Sequence, residues 1–241
     1  MYKKKIARLH DKIYLKENRY KKPLEKFILL VKLLKKYTDK RRKYSLLDVG
    51  CANGELLYNL DKYFKNVNLT GIDIRKDLII KAKKKLPGYI KLFKKNIYKK
   101  NLIINNKSKK NKKYDIIILS GTIGIFDYPE IVFKNLLLNL NKKGQIFIMD
   151  NFNIYPFNVF IKYEDLKLKN VLQPGFNTFS INHVKKYFRN KKIQFIPFQI
   201  SKKIKKNKSD LMRAWTININ KKRYFTNALG IIMRQYWVRI F

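Results

Sequence analysis

The sequence predicts an α/β fold, a doubly wound and mostly parallel sheet with helices on both faces. Three observations predict it. Between residues 24 and 150, five short apolar runs alternate with segments of helical period, as repeated strand–helix–strand units require. One run, Tyr114 to Ser120, holds Ile116, Ile117, Ile118 and Leu119 without a break, which suits a central strand buried on both faces. The stretch from Leu46 to Leu57 passes from an apolar run through Gly50 and Gly54 into apolar residues at helical spacing. It reads as strand, tight loop, helix.

Taken in order, residues 1–22 are charged and poor in apolar positions, and are expected to form a leading arm. The remainder, 23–241, is expected to be one domain. Pro23 suits a first helical turn, and Leu24, Phe27, Ile28, Val31 and Leu34 follow the spacing of one buried helical face. Ser45 to Val49 is the first strand, and Leu56, Leu57 and Leu60 mark the helix after the glycine loop. Asn68 to Ile74 reads as the second strand, Arg75 to Leu86 as a helix, and Tyr89 to Phe93 as the third strand. Lys94 to Lys113 carries nine lysines and no acid, and reads as a solvated insertion. After the fourth strand, a helix is expected over Pro129 to Leu140, a turn over 141–144, and the fifth strand over Gln145 to Met149.

The last third differs in character. Phe152 to Thr178 is rich in aromatics, Asn and Pro without a sustained period, and reads as a lid-like loop over one edge of the sheet. Ser180 is a good N-cap for a helix over Ile181 to Phe188. Ile193 to Ile200, Trp215 to Asn218 and Tyr236 to Phe241 read as strands, with a turn at Asn220-Lys-Lys.

Composition narrows the function classes. The single cysteine, Cys51, excludes an intramolecular disulfide, and no apolar run is long enough to span a bilayer, so a cytoplasmic protein is expected. With 57 basic against 16 acidic residues the formal charge is +41, which attracts polyanions such as RNA. The basic residues are 47 Lys and only 10 Arg, beside abundant Asn and Ile, as AT-rich coding would produce. Arg is the usual choice for bidentate phosphate and base contacts, so this excess argues weakly against an evolved readout surface.

In an open parallel sheet, ligands bind beyond the carboxyl ends of the strands. Those ends bring together Asp48 to Gly54, Asp73, Asn96 and Ile97, Ser120 to Thr122, and Asp150 to Asn153. Asp73 follows Gly54 at a spacing that lets a carboxylate take both hydroxyls of a ribose, and the paired spacing favours that role over capping the helix that follows. A Gly-x-Gly-x-x-Gly dinucleotide fingerprint fits less well, because Ala52 and Glu55 occupy its second and third glycine positions.

Asp48, Gly50 and Gly54 match Asp-x-Gly-x-x-x-Gly, and the stretch resembles the first motif of the class I S-adenosylmethionine-dependent methyltransferases. The resemblance is specific over about residues 24–150 and only architectural over 151–241. It implies a seven-stranded sheet with antiparallel C-terminal strands and S-adenosylmethionine as cofactor, with Gly50, Cys51, Ala52 and Gly54 in the cofactor loop. It also implies Asp48 near the cofactor's ammonium group, Asp73 and Ile74 at the ribose, Asn96 and Ile97 at the adenine, and Ser120 and Gly121 beside the methionine part. Asn96 departs from the acidic residue common in the family, but its amide oxygen can accept the same hydrogen bond.

No Asp/Asn-Pro-Pro-Tyr turn follows the fourth strand and the one cysteine lies in the cofactor loop, so amino-adenine and cytosine-carbon methylation are not supported. No metal is expected. Methyl transfer needs alignment more than a universal catalytic group, and the acceptor-side candidates are Asp150, Asn153, Tyr155 and His183. The expected acceptor is a small molecule or saccharide hydroxyl, free or on an anionic carrier. The rivals are an RNA methyltransferase and an inactive, basic RNA-binding protein on the same fold.

Overall fold

The computed structural model describes residues 13–39, 41–100, 102–104, 113–164, 166 and 172–241. The first twelve residues of the expected arm and the basic stretch 105–112 lie outside them.

Helix α1 (Glu25–Tyr37) precedes five parallel strands: β1 (Tyr44–Val49), β2 (Val67–Asp73), β3 (Lys91–Lys94), β4 (Tyr114–Ser120) and β5 (Leu140–Asn153). Between them run α2 (Glu55–Tyr63), α3 (Lys76–Lys85) and α4 (Pro129–Leu138). Further along come the small strands β6 (Lys162–Glu164), β7 (Leu172–Pro174) and β8 (Phe179–Ser180), helix α5 (Ile181–Tyr187) and strand β9 (Ile193–Phe198). The hairpin of β10 (Trp215–Ile219) and β11 (Lys222–Thr226) and the strand β12 (Gln235–Ile240) complete the order. The main sheet is β3-β2-β1-β4-β5-β12-β9, seven strands of which β12 runs antiparallel to both neighbours, with β8 pairing the end of β5. Strand order therefore reverses between β1 and β4, which opens a crevice at their carboxyl ends.

The apolar run in β4 shows why the sheet is double-faced. Ile116 and Ile118 pack under α1, α2 and α3 with Leu46, Phe147 and Trp237, whereas Ile117 and Leu119 point to the opposite layer of Val132, Phe133, Leu136 and Val184 from α4 and α5. Period-two alternation thus feeds two cores from one strand. Ser180 caps α5, its side chain accepting the Asn182 N–H.

Several boundaries depart from expectation for local reasons. Helix α4 stops at Leu138 and β5 begins at Leu140, because Tyr114 pairs with Leu140 while Ile116 pairs with Gln145. The expected turn at 141–144 is thus a bulge within β5. Strand β3 starts two residues late, after the Ile90 N–H closes a turn on the Pro87 carbonyl. The region 152–178 is not wholly irregular, since β6 and β7 pair antiparallel and Val159 bridges Thr178. The turn at Asn220 joins β10 to β11, a strand the sequence did not suggest, in a hairpin apart from the main sheet. No described helix is long and apolar enough to cross a membrane.

The largest difference is in the lysine-rich insertion. Leu102 and Ile104 are buried in the core, and their backbone is held by two buried amides, Asn135 of α4 and Asn139 at its C-cap. Asn135 accepts from the Leu102 N–H at 3.0 Å and donates to the Ile97 and Lys99 carbonyls at 2.6 and 2.9 Å. Asn139 accepts from the Ile104 N–H at 3.1 Å and donates to the Leu102 carbonyl at 2.8 Å. These side chains satisfy backbone groups that have no strand to pair with. Asn135→Leu, similar in volume, should lower the unfolding free energy by about 2–4 kcal/mol, because two buried backbone groups and one part-buried carbonyl lose their partner. Urea denaturation measures this, and a change within error would show that the amide is dispensable.

Candidate cofactor and acceptor site

The loop from Asp48 to Gly54 is pinned to the end of β2. The N–H groups of Gly50 and Cys51 both donate to the Ile72 carbonyl, at 2.8 and 3.0 Å, and the Ala52 N–H donates to Asp73 Oδ2 at 3.0 Å. Gly50 adopts φ +73°, and a Cβ there would lie 2.7 Å from Thr122 Oγ1; Gly54 adopts φ +87°, with Leu86 Cδ1 at 2.6 Å from its Cβ position. Only glycine meets both demands without strain. Backbone is therefore left bare along one wall of a cavity lined by Asp48, Gly50, Cys51, Ala52, Asp73, Ile74, Asn96, Ile97, Ser120 and Gly121. Of the predicted cofactor residues only Gly54 is not in the lining, lying behind the loop against α3 and Leu86.

Asp73 is buried, with Oδ1 accepting the Arg75 N–H at 2.9 Å. Each of its oxygens thus accepts a backbone N–H, which fixes the carboxylate at the cavity wall. Asn96 Oδ1 accepts the Tyr98 N–H at 2.9 Å, which fixes the turn that presents Ile97 to the cavity. Ser120 Oγ is buried without a hydrogen-bond partner among the described residues. Burial and the neighbouring Asp73 carboxylate push Asp48 up to about 7, against the opposing pull of Lys26. Burial likewise pushes the Cys51 thiol well up, so it stays protonated.

The N-terminal segment supplies groups that sequence reasoning missed. Asn53 Nδ2 donates to the carbonyls of Tyr14 and Glu17, and the Tyr20 hydroxyl donates to the Asn53 carbonyl at 2.6 Å. Lys81 on α3 donates to the Leu15 and Glu17 carbonyls, and the Arg19 N–H donates to Glu55 Oε1 at 2.6 Å. This seats Tyr14, Glu17 and Arg19 in the cavity wall beside Lys26. The available signal is slight: the short apolar run Ile13-Tyr14-Leu15 and the lone Tyr20 among charges.

A second cavity of about 420 Å³ adjoins the first, sharing Tyr14, Glu17, Arg19, Lys26, Gly121 and Ile125 with it. Its far wall is mostly apolar, with Phe176, Phe198, Ile204, Met212, Phe225 and Met233. Asp150 and Asn151 line it at the end of β5, where Asp150 Oδ2 accepts the Gly124 N–H at 3.2 Å. Of the four acceptor-side candidates, only Asp150 lines either cavity. Asn153 is spent on the Tyr155 N–H and the Phe157 carbonyl. Tyr155 is half exposed and stacks on Phe157. His183 is tied between Asn158 at 2.6 Å and Glu130 at 2.7 Å.

A glycine loop and an acidic residue at consecutive strand ends, beside a strand-order reversal, define a nucleotide-cofactor protein of the doubly wound class. The chain belongs to the methyltransferase domain family, whose model matches residues 14–198. The fold agrees. A S-adenosylmethionine-dependent methyltransferase of Methanosarcina mazei superposes with a TM-score of 0.56 at 11% identity, over 86% of this chain and 95% of that one. The magnesium protoporphyrin IX methyltransferase of Synechocystis, solved with bound S-adenosylmethionine, gives 0.51 at 10% identity, over 90% and 78%. A curated relative, the tRNA (guanine-N(7)-)-methyltransferase of Prochlorococcus marinus, is 34% identical over 114 residues, or 42% of this chain. The chain spans about half the length of that relative, 53%. The chain thus carries a methyltransferase domain on the fold of these neighbours, and the bare glycine wall and the partnerless Ser120 hydroxyl fit S-adenosylmethionine, the cofactor bound in the Synechocystis neighbour.

Asp48 sets a pH dependence. Its folded value near 7 lies above that of an ordinary carboxyl, so the native state binds the extra proton between about pH 4 and 7 and stability falls as pH rises through that window. Asp48→Asn should therefore raise the melting temperature of the cofactor-free protein at pH 8 and leave it nearly unchanged at pH 4. S-adenosylmethionine carries cationic sulfonium and ammonium groups, so its affinity for the parent protein should fall several-fold between pH 8 and 6, and stay flat in the variant. Calorimetry tests both, and equal pH profiles for the two proteins would contradict the assignment.

Proposed function

We propose that the chain transfers the methyl group of S-adenosylmethionine to the hydroxyl of a small, mostly apolar molecule held in the second cavity. One observation supports this above the rest: an apolar-walled cavity of about 420 Å³ opens directly onto the cofactor cavity across Lys26, Gly121 and Ile125. Such a volume suits an organic molecule of metabolite size, with a few polar groups to orient it. The aromatic and methionine walls favour a flat apolar body over a saccharide. Charge there is balanced, Glu17, Glu25 and Asp150 against Arg19, Lys26 and Arg213, so the lysine excess of the chain is not concentrated in the cavity.

On this reading, Asp73 holds the ribose hydroxyls, Asn96 and Ile97 meet the adenine, and Asp48 faces the ammonium group. Ser120 and Gly121 flank the methionine part. The bound cofactor supplies an electrophilic methyl carbon, and the chain supplies alignment and exclusion of water.

An RNA acceptor has two supports of its own: the formal charge of +41, and the curated relative named for a tRNA guanine. The two readings separate in one assay. With methyl-labelled cofactor, small hydroxylated aromatics should be labelled at physiological salt while total RNA is not; labelling of RNA that heparin does not abolish would reverse the assignment. Asp73→Ala should weaken S-adenosylmethionine binding by about tenfold or more, through loss of charge-assisted hydrogen bonds to the ribose. Unchanged affinity in calorimetry would remove Asp73 from the ribose site.

A further inference from the structure

We propose that Glu17 is the proton acceptor for the methyl acceptor's hydroxyl, an inference that rests on the small-molecule reading above. The Glu17 side chain is only 8% exposed and lies where the two cavities meet. Its two oxygens are used differently. Oε1 accepts from Arg19 Nη2 on the same segment and from Arg213 Nη2 at 2.8 Å, on the stretch that leads into β10. Oε2 is buried and has no hydrogen-bond partner among the described residues. A buried carboxylate oxygen without a partner is costly, and a ligand that donates an O–H there removes the cost. Asn151 Oδ1, in the wall of the same cavity, is likewise a buried acceptor without a partner, so the cavity asks its occupant for hydrogen-bond donors.

The surroundings tune this carboxyl in the direction a base needs. Burial raises it and Glu55 on α2 adds to the rise, while Arg19 and Arg213 pull it down. Lys26 on α1 is coupled to it across the shared wall, and Lys81 on α3 bonds to its backbone carbonyl. Burial thus makes the carboxyl more basic than an exposed one, while the two guanidiniums favour its ionised form. In the step, Glu17 Oε2 takes the proton as the acceptor's O–H bond breaks. The freed oxygen pair forms the bond to the methyl carbon, and sulfur keeps the pair of the carbon–sulfur bond that is lost.

Phenol and 4-nitrophenol test this without turnover, since at pH 8 the first is neutral and the second largely ionised. On the cofactor-free protein, Glu17→Gln should weaken phenol binding by about tenfold, through loss of a charged acceptor. The same variant should tighten 4-nitrophenolate binding, because an anion no longer meets a carboxylate. With cofactor present, methylation of phenol should fall at least about 100-fold in Glu17→Gln, and that of 4-nitrophenol much less. Should the variant fail to melt cooperatively, Arg213→Gln replaces it. Removal of one cation raises the carboxyl, so the low-pH limb of phenol methylation should move to higher pH.

The outcomes are distinct. If the parent protein binds and methylates neither phenol, the small-molecule reading fails and this inference with it. If the parent binds both, but Glu17→Gln shifts both affinities in the same direction or slows both phenols equally, that reading stands and Glu17 has only a positioning role. A limb that does not move in Arg213→Gln also overturns the assignment.

Discussion

Three hydrogen bonds donated by backbone N–H groups to the end of β2 hold the cofactor loop in place. The Ile72 carbonyl takes two N–H groups of the glycine loop, and the Asp73 carboxylate takes a third from Ala52. Without them the loop between β1 and α2 would have no reason to keep Gly50 and Gly54 at positive φ, where each lacks room for a side chain. Because the bonds come from an adjacent parallel strand, the loop inherits the register of the sheet, Asp48 opposite Gly71 and Val49 opposite Ile72. A rigid support thereby holds a polar, strained turn in place.

The second constraint is the cost of buried polar groups. Two asparagines, Asn135 on α4 and Asn139 at its C-cap, hold the backbone of residues 97, 99, 102 and 104 in place of a missing strand, and so hold up the wall that carries Asn96 and Ile97. Asn53 does the same for the N-terminal segment, joining Tyr14, Glu17 and Glu55 over the cofactor loop. In both places a side-chain amide, which can donate and accept at once, orders irregular backbone that apolar packing alone could not position.

These facts explain what the sequence made legible. The β1 loop, Asp73 and the alternation of β4 were readable because their signals are local: glycine where φ is positive, apolar residues at period two. The roles of Asn135 and Asn139 were not, because a polar residue on a helix looks solvated until its partner is known. The bulge at 141–144 was read as a turn, since Lys-Lys-Gly suits either and only the pairing of Tyr114 with Leu140 decides. Glu17 is not legible because Arg213 and the cavity walls around it are distant in sequence. The apolar cavity was hidden for the same reason, its walls coming from several separate segments.

The order of the sheet also bears on how the chain is made. Strand β9 belongs at the edge, yet β12, which separates it from β5, is translated after it. Until β12 is made, the hydrogen-bonding edge of β5 that it pairs with is open, and Trp237 is missing from the layer that holds Phe147 and Met149. Arg213 reaches Glu17 across 196 residues, so the two cavities take final form only once synthesis has passed both. A nascent chain of this topology has long-range pairing left until late, and is exposed to edge-to-edge association while it waits.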